Sequence, residues 1–204
     1  MIEFYITAFV TLFLVIDPIG LLPMFISLTV GHVAKRTSIA IRACLIAIVI
    51  LAIFGLVGEK LLDFIGIGLP AFRISGGLLL FLIAVEMLFN KRGQRREEQS
   101  EEADQSDDPS VFPLATPLIA GPGAMAAMIL LASDMQNSPR AVAVVMAAMI
   151  SVVALVGLGF LMGNILERLL GKTGINVITR LMGMLLAALS VQFVVDGMHG
   201  LGVL

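Results

Sequence analysis

Two short motifs hold the residues best suited to chemistry. The first is Asp17-Pro18-Ile19-Gly20 with Pro23 just beyond; the second is Pro117 with Gly121-Pro122-Gly123. Both lie inside long apolar runs. Proline removes a backbone donor and clashes with the preceding turn, so a helix carrying either motif kinks or unwinds there. A helix restarting past such a break presents free N–H groups and the positive end of its dipole, which suits a carboxylate. Asp17 has two roles open to it. It can N-cap the restarting half-helix, with Pro18 at the first helical position. It can also take a substrate ammonium group or a coupling proton, as intramembrane carboxylates do. Kinks that only shape helix packing are the plainer alternative.

Three further groups stand out. Ser75-Gly76-Gly77 permits close backbone approach, either to a solute or to another helix. Glu86 sits near Lys91 and Arg92, where it either snorkels or couples to protons. Gly159 and Gly163 form a GxxxG packing pair. Catalytic constellations are absent: there is no GxSxG, HExxH, P-loop or CxxC. His32 and His199 belong near opposite membrane faces and cannot share a metal, and Cys44 is a lone cysteine. The expectation is a protein that is not an enzyme, with no catalytic residue, metal, cofactor or nucleic-acid partner.

The elements that must position these residues are membrane helices. Of 204 residues, 59% are hydrophobic and 14% charged, with a mean hydropathy of +1.04. That leaves too little polar surface to cover a soluble core. Crossing a bilayer takes roughly 20 helical residues. Phe4–Thr29, Ile39–Gly58, Pro70–Asn90, Val111–Ser133, Ala141–Gly163 and Ile175–Gly197 meet that length. The expected fold is an all-α membrane protein with six transmembrane helices, broken in helices 1 and 4. Residues 91–110, basic then acidic, read as a solvated cytoplasmic linker. They divide a first three-helix repeat (1–90) from a second (111–204) within one integrated membrane domain. The motifs recur in order: Asp17–Gly20 matches Gly121–Ala124, and Ile74–Leu80 matches Arg180–Leu186. Three spans per half turn the second half upside down, the inverted-repeat plan of many secondary transporters. Basic residues gather beside the loops after helices 1, 3 and 5, which puts both termini outside.

DPIGLLPMF (17–25), ISGGLLLFLIAVEML (74–88), PLATPLIAGPGAM (113–125) and RLMGMLLAALSVQFVVDGM (180–198) together resemble the MarC family of bacterial and archaeal integral membrane proteins. The resemblance covers nearly the whole chain. It implies a multi-pass protein of the bacterial cytoplasmic (inner) membrane and, from some relatives, transport of neutral amino acids such as glycine, alanine and threonine; the room for a small side chain beside the motif glycines adds serine to the expected solutes. Proton or sodium coupling and a homo-oligomer are further expectations. The alternative is a non-transporting scaffold or stress-related membrane component.

Overall fold

The computed structural model describes residues 1–96, 108–133 and 139–203, apart from the side chains of residues 32, 33 and 139. The acidic part of the expected linker, 97–107, lies outside them. Among the described residues there are helices and no strand. Helix α1 (Ile2–Ile16) gives way to a turn at 17–21 and resumes as the short α2 (Leu22–Leu28). A 3-10 turn (Val30–Lys35) leads into α3 (Arg36–Ile65), and α4 (Leu69–Leu88) follows. A short helix, α5, occupies 91–96. Ser110–Ile119 is wound in wide turns and interrupted by extended residues at Phe112 and Thr116. Helices α6 (Pro122–Ser133), α7 (Pro139–Leu161) and α8 (Gly163–Gly200) complete the chain.

Each boundary has a local cause. Pro18 has no N–H for the Leu14 carbonyl and disfavours helical backbone at Asp17. Asp17 therefore turns left-handed (φ 58°, ψ 67°), a conformation Asp tolerates. Gly66 ends α3 at φ 82° by the usual glycine cap. Pro70 and Pro122 sit at the starts of α4 and α6, where a missing donor costs nothing. Gly171 (φ 63°, ψ 170°) bends α8, so the loop expected at 164–174 is helix on both sides of one glycine.

Helices α3, α4, α7 and α8 are each long and apolar enough to cross a bilayer, and Ser110–Ile119 with α6, bent by 55°, is long and apolar enough to make a fifth if the pair is one span. At 15 residues, α1 reaches only about 22 Å, short of a bilayer core of about 30 Å.

The helices sort their faces by size. On α3, Ile41, Leu45, Val49 and Ile53 point outward while Ala40, Ala43, Ala47 and Gly55 point inward. Small residues inside let backbones approach, which is how helices pack when lipid is as apolar as leucine. The closest case is the antiparallel α4–α8 pair. A Cβ on Gly77 would stand 2.8 Å from the Ser190 carbonyl and 3.1 Å from the Val194 nitrogen. One on Gly183 would stand 3.2 Å from the Ala84 carbonyl and 3.4 Å from the Leu88 nitrogen. The contact is reciprocal: each glycine meets the residues seven and eleven places beyond the other. Other pairings match in the same way. Helix α1 lies on α7 as Ser110–Ile119 lies on α3, and α2 lies on α8 as α6 lies on α4.

Candidate functional site

The break after α1 is built around buried charge. The last carbonyls of a helix have no partner within it, and Pro18 prevents the next turn from supplying one. Helix α5 supplies donors from elsewhere. Its Arg92 and Arg96 are one turn apart and share a face. Arg92 Nη2 donates to the Val15 carbonyl at 2.6 Å, and Arg96 Nη2 donates to the Ile16 carbonyl at 3.3 Å. Cations also suit the negative end of the α1 dipole. Arg96 Nη1 then reaches Asp17 Oδ2 at 3.1 Å, while Asp17 Oδ1 accepts the Gly20 N–H at 3.0 Å. Asp17 is fully buried and Arg96 is 6% exposed.

The second break is satisfied by backbone. The Ala120 N–H donates to the Ala115 carbonyl at 2.8 Å, and the Met125 N–H to the Gly121 carbonyl at 2.9 Å. Gly121 is obligatory here, since a Cβ would stand 2.5 Å from the Pro117 carbonyl oxygen. Gly123 packs on Ile83, Val15 and Leu80.

Two cavities flank the arginines. The smaller, about 140 Å³, is walled by Pro117, Gly121, Pro122 and Gly123 together with Val15 and Glu86. The larger, about 530 Å³, is walled by Asp17, Gly20, Pro23, Ser27, Lys172 and Thr179, among others. Arg92 and Arg96 line both. They form a partition shared by the cavities beside the two breaks, and the broken helices themselves touch where Gly123 packs on Val15. Glu86 on the smaller cavity pairs with Arg95 at 3.0 Å.

The family model described as MarC family integral membrane protein matches residues 2–201. The chain belongs to the MarC family. A UPF0056 membrane protein of Archaeoglobus fulgidus is 39% identical over 97% of this chain and 93% of its own length. UPF0056 membrane protein YhcE of Escherichia coli is 36% identical, covering 97% of this chain and 93% of its own. YvbG of Bacillus subtilis is 36% identical over 98% and 97%. No solved structure matches the chain.

The sequence-derived site of this MarC-family protein divides in three. Asp17, Gly20 and Pro23 line the larger cavity, and Pro117, Gly121, Pro122, Gly123 and Glu86 the smaller. Pro18 is buried and lines neither; its part is to end α1. Ser75, Gly76 and Gly77 also line neither. The Ser75 hydroxyl donates to the Phe72 carbonyl, Gly76 packs on Leu130, and Gly77 on α8.

Asp17 closes α1 and also makes the capping contacts expected of it: its Oδ1 accepts the Gly20 N–H and its carbonyl accepts the Leu21 N–H, across the turn that leads into α2 at Leu22. One expectation is corrected in part. The start of the expected solvated linker is helical: Lys91, Gly93, Gln94 and Arg95 are exposed, but Arg96 is buried and Arg92 half-buried where they complete the end of α1. Arg92, Arg96, Lys172 and Thr179 were missed as site residues. Two arginines spaced i, i+4 directly after a membrane helix were the available signal. Averaging composition over 91–110 concealed it.

Proposed function

We propose that this MarC-family protein is a secondary transporter of small neutral amino acids, of the glycine, alanine, serine and threonine type, across the cytoplasmic membrane. The observation that carries the reading is that two broken helices meet at one arginine partition with a cavity on each side. Irregular backbone at membrane depth is tolerated where protein or a wet cavity satisfies it, and transporters place their sites there. In this reading the chain crosses six times as two inverted three-helix repeats, with α1 and α2 as the first span and both termini outside. The reciprocal Gly77 and Gly183 contacts and the matched helix pairings support that symmetry.

The partition gives the cycle a physical handle. A ligand shifts a conformational equilibrium only by its differential affinity for the two states. A solute carboxylate beside Arg92 draws on the same cationic cluster that holds Asp17, so binding loosens the contact that separates the cavities. Protonation of Asp17 does the same, which makes Asp17 the preferred proton-coupling group, with Glu86 beside Arg95 as the second.

The experiment is uptake of radiolabelled glycine, alanine, serine and threonine by purified protein in liposomes, with and without proton and sodium gradients. Saturable uptake of at least one is expected. No uptake under any gradient, from protein that remains folded, overturns transport of this class and favours the scaffold alternative.

A further inference from the structure

Among the described residues, the charged walls of the larger cavity are Arg92, Arg96 and Lys172 against Asp17. Both Asp17 oxygens are engaged, one by Arg96 and one by the Gly20 N–H. No anionic group on the wall, among the described residues, is left over for an ammonium group. Among the described residues neither Arg92 nor Lys172 forms an ion pair.

Helix α8 adds a built wall. After the bend at Gly171, Lys172, Ile175, Asn176 and Thr179 follow at i, i+3, i+4 and i+7, so they share one face, and that face lines the cavity. Thr179 is only 8% exposed, yet its hydroxyl has no hydrogen-bond partner. Hydroxyls in apolar helices ordinarily donate back to a carbonyl three or four residues earlier. Thr29, Ser133, Ser151 and Ser190 all do so in this chain. A buried hydroxyl without a partner is costly, and the residue that carries this one lines the cavity.

We infer that the larger cavity binds a small carboxylate by its carboxylate alone, with Lys172 and Arg92 as the charge partners and the Thr179 hydroxyl as a donor. The inference rests on the transport reading for its solute class and narrows it: the α-ammonium of an amino acid is not recognised there. A hydroxy acid then serves as well as the matching amino acid. An amino acid amide, which keeps the ammonium and loses the anion, does not.

The test is calorimetric binding to the full-length protein purified in detergent, with L-alanine, L-lactate, L-alaninamide and inorganic phosphate as probes. Lactate is expected to bind as tightly as alanine, phosphate more weakly, and alaninamide not at all. Thr179→Val and Lys172→Gln, each verified to melt as the parent does, should weaken lactate roughly tenfold, the worth of one hydrogen bond to a charged group. The inference is overturned by alanine binding without lactate, by alaninamide binding, or by phosphate binding more tightly than lactate. Binding of none of the probes, or undiminished lactate binding in both variants, overturns it equally. Binding and transport separate cleanly. Alanine uptake without lactate binding sinks this inference and leaves the transport reading; lactate binding without uptake of any solute does the reverse.

Discussion

The two broken helices solve the same problem by different means. After α1, the freed carbonyls of Val15 and Ile16 take guanidinium donors from α5, and Asp17 balances the charge. Before α6, the chain turns through Pro117 and Gly121 with backbone partners and no charged residue of its own. The polarity of the ends explains the difference. The first break leaves the acceptor end of a helix to satisfy, and only cations or donors from elsewhere can do that. The second leaves the donor end of α6, where Pro122 already removes one donor. One break is therefore held by side chains that ligands and protons can compete for, and the other by backbone geometry that they cannot.

Asp17 is the most sensitive position of the two breaks. Asp17→Asn keeps the shape but leaves Arg96 buried without its counter-charge. Removing one member of a buried pair costs about 3–5 kcal/mol, so denaturant unfolding in detergent should show a large loss. The double variant Asp17→Asn with Arg96→Gln should recover much of it. An Asp17→Asn protein as stable as the parent would falsify the charged architecture of the first break.

A smaller effect contrasts a glycine from each break. A methyl at Gly20 runs into the Asp17 carboxylate and stands 2.9 Å from Arg96 Nη1. Gly20→Ala should cost about 1–3 kcal/mol, as overpacking does. The corresponding methyl at Gly123 meets chiefly Ile83 Cδ1, the far end of a flexible side chain. Gly123→Ala should shift the melting temperature less, and the reverse order would contradict the contrast.

The smallest expected effect is at Glu86. Its pair with Arg95 leaves both side chains partly exposed, 30% and 62%. Glu86→Gln should change stability by no more than about 1 kcal/mol, with a difference from the parent that shrinks as salt is raised. A loss comparable to that of Asp17→Asn would place Glu86 among the groups that hold the partition.

What sequence alone determines here is local. Hydropathy marks the chain as a membrane protein, because apolar surface in excess of any soluble core must face lipid. Proline and glycine mark both helix breaks, because the missing donor and the clash act within one turn. The small residues at 76–77 and 183 show where helices come close, though not which helix they meet. Tertiary structure decides the partners. The Asp17–Arg96 contact joins residues 79 positions apart, and nothing local to either motif requires it. It arises because α5 folds back onto the end of α1, where unsatisfied carbonyls make a buried cation favourable. Thr179 is similar: its sequence context is that of any helix residue, and only the tertiary structure buries it on a cavity wall with its hydroxyl unpaired.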